Sequence, residues 1–214
     1  VIANIVHPLT SPEGLVESIS VTKSKAVMIL DILAAQYVKA INGIGLPCII
    51  CSNSDYTSLP VSPAIKIFEK VKAKGIDGFT HSIRYKKAVE AGSGKACEEF
   101  CDGSATAVYL HGGGTTGKSK TIMLSSDNIN AIADKLEPLD EEHEPGSECS
   151  LVVLPMFHAF GLAVAMHYPI THGFTLLPMP QFSADAANKQ LRKYRVSFLL
   201  GVPNMYKKMM EADN

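Results

Sequence analysis

"HGGGTTGKSKTIML", His111 to Leu124, is the stretch on which the fold and the chemistry of this chain turn. Gly112-x-x-x-x-Gly117-Lys118-Ser119 has the spacing of a nucleotide P-loop, and His111-Gly112-Gly113-Gly114 has the oxyanion-loop pattern of lipases. A third reading is a glycine-rich loop between two strands that binds phosphate. Each reading demands different surroundings.

The lipase pattern needs a nucleophile elbow, G-x-S-x-G, and no such stretch occurs in the chain. The Walker pattern needs a helix that opens at Gly117-Lys118-Ser119. Here "KSKTIMLSS" follows, and its β-branched and apolar residues suit a second strand. Helix-capping residues wait until Ser125, Ser126 and Asp127. No apolar strand ending in Asp follows to hold magnesium; the one such strand, "AVMILD", comes earlier. That leaves a loop between "TAVYL" and "TIML". Glycines allow positive φ and present successive N–H groups to phosphate oxygens, Thr115 and Thr116 add hydroxyl donors, and Lys118 or Lys120 adds charge. A glycine-rich hairpin turn is the bland alternative, though two glycines would suffice for it.

Outward from the loop, short apolar runs alternate with amphipathic ones. "VIANIVH", "KAVMILD", "LPCIICS", "SATAVYL", "KTIML", "CSLVVLP", "FTLLPM" and "VSFLLG" read as strands. "TSPEGLVESISVTKS" reads as a helix in which Thr10 and Glu13 have capping-box spacing, Pro12 suits the first turn, and Leu15 and Ile19 share a face. "ILAAQYVKAIN", "SPAIKIFEKVKAKG", "SIRYKKAVEAGS", "KACEEFCDG", "SSDNINAIADKLEPL", "FGLAVAMHYPITHG", "SADAANKQLRKYR" and "PNMYKKMMEA" read as further helices. In "SADAANKQLRKYR", Ala187, Leu191 and Tyr194 share a face opposite Lys189, Arg192 and Lys193. The alternation predicts an α/β fold, parallel sheet layered with flanking helices.

With 214 residues, 46% of them hydrophobic and 19% charged, the chain can bury a sizeable core in one large domain or two small ones. The net charge of −1 gives no electrostatic case for nucleic acid or an anionic membrane. No apolar run approaches membrane-spanning length and no signal peptide opens the chain, so a cytoplasmic setting is expected. Five cysteines without a secretion signal suggest reduced thiols. Cys48 and Cys51 have CxxC spacing, but on a strand residues three apart face opposite ways; Cys97 and Cys101 have no nearby histidine ligands. No metal site is expected. The acidic run Asp140 to Glu148 is the one break in composition and reads as a solvated loop. The chain starts at Val1 in strand-like sequence, as a piece of a longer protein would.

These stretches together resemble the adenylate-forming (AMP-binding) enzymes, especially the acyl-CoA synthetase/4-coumarate-CoA ligase branch. The family's phosphate loop, [ST]-G-T-T-G-x-P-K-G, aligns without gaps with Gly113-Gly114-Thr115-Thr116-Gly117-Lys118-Ser119-Lys120-Thr121. "LPMFHAFGL", Leu154 to Leu162, resembles the family's LPxFHxxGL segment, and "YRVSFLLGVPNMYKKM" its strand and helix around G-V-P. The resemblance covers most of residues 1–214 in consistent order, as part of the family's large domain. It implies a carboxylate attacking the α-phosphate of ATP, then transfer of the acyl group to coenzyme A, with ATP, Mg2+ and CoA as cofactors and a fatty or aryl acid as substrate. By resemblance, Gly113, Gly114, Thr115, Thr116, Gly117 and Lys120 hold the ATP phosphates. His158 lies beside the acyl and adenylate sites, Gly201, Val202 and Pro203 line the acyl pocket, and Lys118 takes a variable position. A core histidine packed near Phe157 and Phe160, and a tight strand-to-helix turn at Pro203, are the plainer readings of those two segments. His167 and His172 match nothing in the family.

Some positions depart from the pattern. Gly113 stands for Ser or Thr, Ser119 for proline, Thr121 for glycine, and His111 and Gly112 for bulkier or hydroxyl residues. No Y-G-x-T-E segment follows, and the ribose-binding aspartate, the hinge and the distal catalytic lysine have no counterpart. The expectation is a fragment that is inactive alone and prone to self-association. A non-catalytic nucleotide- or partner-binding module and a P-loop NTPase are the alternatives.

Overall fold

The computed structural model describes residues 1–52, 55, 76–95, 102–112, 120–136 and 146–213. They belong to two compact units, Val6–Phe100 and a second made of Val1–Ile5 with Cys101–Asn214. The helices expected over "SPAIKIFEKVKAKG" and "KACEEFCDG", Cys97, Cys101 and most of the acidic run lie outside the described residues.

In the Val6–Phe100 unit, helix α1 (Pro12–Thr22) opens on proline as its sequence suggests. Its cap is Ser11 rather than Thr10: Ser11 is extended, and its Oγ accepts the Gly14 N–H at 3.1 Å. The cap must directly precede the first helical residue, and Pro12 is that residue. Thr10 instead donates its N–H to the His7 carbonyl at 2.9 Å, and its own carbonyl accepts the Tyr37 hydroxyl. Strand β2 (Val27–Leu30) passes through a 3-10 turn, Asp31–Leu33, into helix α2 (Ala34–Ile44), which Gly45 ends at φ 66°. Strands β3 (Cys48–Cys51) and β4 (Ser82–Arg84) complete a parallel sheet in the order β2-β3-β4.

"SIRYKKAVEAGS" is not helical throughout: Ser82–Arg84 pair with Cys48–Ile50, and helix α3 (Tyr85–Gly92) begins only after them. Ladder hydrogen bonds to β3 outweigh local helix propensity. Leu15, Ile19, Val27, Ile29, Ala34, Tyr37, Ile41, Cys48 and Ile50 form this unit's core. Asp31 is buried and lies 3.8 Å from the Arg84 guanidinium. Cys48 is buried and Cys51 half-buried, as opposite faces of a strand require, and neither is in a disulfide. Burial, with the charge of Cys51 added, pushes the Cys48 thiol up to about 11, so it stays protonated near neutral pH.

The other unit carries two sheets. In the first, β1 (Ala3–Ile5) runs parallel to β5 (Thr106–Gly112), and β6 (Lys120–Ser125) runs antiparallel to β5. The α/β layering expected from the alternation is found, and β5–β6 adds one antiparallel pair to it, since only seven residues separate the two strands and a parallel partner would need a crossover of about a dozen or more. Helix α4 (Ser126–Leu136) is capped reciprocally: Ser125 Oγ accepts the Asn128 N–H and Asn128 Oδ1 accepts the Ser125 N–H, both at 3.1 Å.

The second sheet is parallel, with β7 (Cys149–Val152) between β8 (Thr175–Pro178) and β9 (Phe198–Leu200). All four residues of β7 are buried, as a central parallel strand demands. "FGLAVAMHYPITHG" is helical but not uniformly α: Phe160–His167 winds as a π-helix before the short α5 (Tyr168–Thr171). Helix α6 (Ala184–Tyr194) is capped by Ser183 and buries Ala187. Tyr194 departs from its expected apolar face: it is exposed, with the Lys193 ammonium 4.6 Å from its ring centroid. Helix α7 (Pro203–Asp213) closes the described chain.

Candidate functional site

The hairpin β5–β6 brackets the glycine run. Its last two rungs pair His111 with Thr121 and Gly112 with Lys120. Gly113, Gly114, Thr115, Thr116 and Gly117, with Lys118 and Ser119, lie outside the described residues. Lys120 is described: it is exposed and opens a strand, whereas a Walker loop would continue into helix. The first helix after the loop begins at Ser126. The residues that follow the motif therefore continue as strand and not as the helix of a P-loop, and the described residues on both sides of the run are strand.

The root of this loop is braced across three strands. His111 Nε2 lies 2.7 Å from Asn4 Oδ1 on β1, and His111 Nδ1 lies 3.3 Å from Thr121 Oγ1 on β6. An amide oxygen only accepts, so Nε2 carries the proton and Nδ1 accepts the threonine hydroxyl. Half-burial holds the imidazole below its ordinary pKa, which favours this neutral tautomer.

His158 sits on the turn between β7 and the π-helix. Its N–H donates to the Pro155 carbonyl at 3.1 Å, and its own carbonyl accepts the Leu162 N–H at 2.9 Å. Its ring lies 4.7 Å from that of Phe157, and the side chain is exposed rather than packed in the core. Gly161 holds the turn closed: a Cβ there would overlap the Pro155 carbonyl oxygen. Beyond it the π-helix touches both sheets. Leu162 and Ala163 pack with Val108 and Leu110 of β5, and Ala165 packs with Leu151 and Val152 of β7. One helix thus ties the strand that leads into the glycine loop to the strand that leads to His158.

Gly201 and Val202 leave the carboxyl end of β9, and Pro203 opens α7 as its position suggested. Gly201 is half-buried, while Val202 and Pro203 are exposed. Strands β7 and β9 are parallel neighbours, so the His158 turn and the Gly201–Pro203 turn leave the same sheet edge. Ligands of open α/β sheets bind outside the carboxyl ends of their strands. His167 and His172 have ordinary partners: His167 Nε2 meets Asn130 Oδ1 at 2.8 Å, and His172 Nδ1 meets the Tyr168 carbonyl at 2.9 Å. Among the described residues no group of three or more His, Cys, Asp or Glu could hold a metal ion, so no magnesium ligand is assigned.

Sequence reasoning missed Asn4, Thr121 and Gly161. Asn4 lies 107 positions before His111, and nothing local signals that contact. Thr121 was visible only as a departure from the family's glycine. Gly161 was legible as the glycine of LPxFHxxGL, but its close approach to Pro155 is a tertiary fact.

Residues 1–214 match the sequence profile of the family described as AMP-binding enzyme. A long-chain-fatty-acid–CoA ligase of Bacillus subtilis is 33% identical over 100 residues, 47% of this chain and 18% of that protein. A probable CoA ligase of Humulus lupulus, CCL5, is 26% identical over 208 residues, 97% of this chain and 34% of that protein. The chain thus spans no more than about a third of the length of these relatives. Among solved structures, MatB from Rhodopseudomonas palustris with ATP bound superposes with a TM-score of 0.62 at 20% identity, over 96% of this chain and 35% of that one. Sequence order, strand–loop–strand geometry and these matches agree, and the chain belongs to the AMP-binding enzyme family.

Proposed function

We propose that these residues form the phosphate-loop-bearing part of the large domain of an ATP-dependent acyl-CoA synthetase acting on a carboxylic acid, fatty or aryl. The observation that carries this reading is the Gly112–Lys120 rung, which puts strand on both sides of a Gly- and Thr-rich loop. In the first step a carboxylate oxygen attacks the α-phosphorus of ATP, and the bond to pyrophosphate breaks. In the second a thiol, that of CoA, attacks the acyl carbon and releases AMP. Adenylyl transfer depends mainly on positioning and on neutralising charge. Backbone N–H groups of Gly113, Gly114 and Gly117, the hydroxyls of Thr115 and Thr116, and the Lys120 ammonium would supply this at the β- and γ-phosphates. His158 and Gly201–Pro203, leaving adjacent strand ends, would line the acyl and adenylate pocket. The long-chain-fatty-acid–CoA ligase from Bacillus subtilis supports the substrate class.

The 214 residues alone would not complete adenylation, since no Y-G-x-T-E segment or distal lysine occurs in them. Carboxylate-dependent ATP–pyrophosphate exchange tests both statements. The whole protein carrying these residues is expected to exchange, and Lys120→Ala to slow it by about 10- to 100-fold. The isolated 214 residues are expected at background. Exchange by the isolated chain would overturn its inactivity. No exchange by the whole protein, with ATP still bound, would replace the ligase by a non-catalytic binding module.

A further inference from the structure

We propose that His111 is a positioning residue for Lys120, its imidazole bridging Asn4 on β1 and Thr121 on β6 to fix the final rung of the β5–β6 hairpin. The inference rests on the reading of Lys120 as a phosphate contact and adds the device that holds it. In the order β1-β5-β6, strand β6 pairs with β5 alone among the described residues. Its first residue, Lys120, is therefore at the end of an edge strand, where backbone pairing frays most easily. The facing residue is Gly112, which has no side chain with which to brace the rung. The brace comes one rung back. His111 faces Thr121 directly and reaches Asn4 diagonally, since Asn4 pairs with Tyr109, two residues earlier on the same face of β5. Hydrogen bonds of 2.7 and 3.3 Å then join all three strands at the mouth of the loop. Both ring nitrogens are used, which an aliphatic residue at this position could not reproduce.

Steady-state kinetics of the whole protein test this with His111→Ala, His111→Gln and Lys120→Ala. His111→Ala is expected to raise the KM for ATP about three- to tenfold, with the KM for the carboxylate unchanged. His111→Gln, whose side-chain N–H can still reach Asn4, is expected to recover part of the loss. A role in stability alone would lower the yield of folded enzyme without separating the two KM values, and that result overturns the inference. If Lys120→Ala raises the KM for ATP and His111→Ala does not, the positioning role fails while the phosphate-loop reading stands. If neither variant changes it, both fail. Should His111→Ala not fold, Thr121→Val removes one end of the bridge with little change of shape: a raised KM for ATP supports the inference, and an unchanged one overturns it.

Discussion

At Gly161 the π-helix backbone lies against the Pro155 carbonyl so closely that no side chain fits. Gly161→Ala is therefore expected to destabilise the protein by about 1–3 kcal/mol, because both partners are backbone and neither can rotate away. Urea unfolding measures this, and a midpoint equal to that of the unsubstituted protein would show that the turn can open at no cost. Residue-scale chemistry was partly legible beforehand. The CxxC pair was expected to split across a strand, and Cys48 and Cys51 do so. His111 stood out only as the first residue of a lipase-like pattern and as a departure from a family. Its partners, Asn4 and Thr121, come from strands 107 and 10 positions away, and no short-range pattern encodes such a triplet.

Elements were read better than their ends. Helix α1 was expected and found, yet its cap moved from Thr10 to Ser11, one position that decides which hydroxyl meets the orphan Gly14 N–H. The same helix ends on Lys23 at φ 53°, a left-handed conformation that glycine adopts without strain. Two substitutions on one helix should thus shift stability in opposite directions. Ser11→Ala is expected to cost about 1 kcal/mol, and Lys23→Gly to add about 0.5–1 kcal/mol. Thermal or chemical unfolding of the pair checks both signs, and equal effects would show that neither end limits the helix. Where elements were misread, tertiary pairing won. Ser82–Arg84 carries no strong strand signal and becomes a strand because β3 offers it a ladder. The width of the π-helix at Phe160–His167 likewise has no counterpart in hydrophobic spacing, which marks only that the segment is helical and apolar.

At the scale of the molecule, exposed apolar side chains gather where the expectation of self-association can be tested. Ile122 and Met123, on opposite faces of β6, are 48% and 65% exposed, and β6 pairs with β5 alone among the described residues, so this strand invites pairing with another chain. Sedimentation of the 214 residues at rising concentration is expected to show species heavier than 23.0 kDa, and Met123→Lys to suppress them. A single monomer at every concentration would remove the idea. The sequence by itself determined the family, the strands on either side of the glycine run and the order of three motifs, because each depends on local periodicity and on residue types in fixed spacing. It also weighed against the lipase reading, since no elbow serine occurs in these 214 residues. The three-dimensional fold alone decided that strands β7 and β9 are neighbours, so that His158 and Gly201–Pro203 leave one sheet edge. It alone decided that the π-helix joins β5 to β7 through Leu162, Ala163 and Ala165, and that Asn4 meets His111. Those facts are contacts between residues far apart in the chain. They are set by which surfaces bury one another, and no local pattern records them.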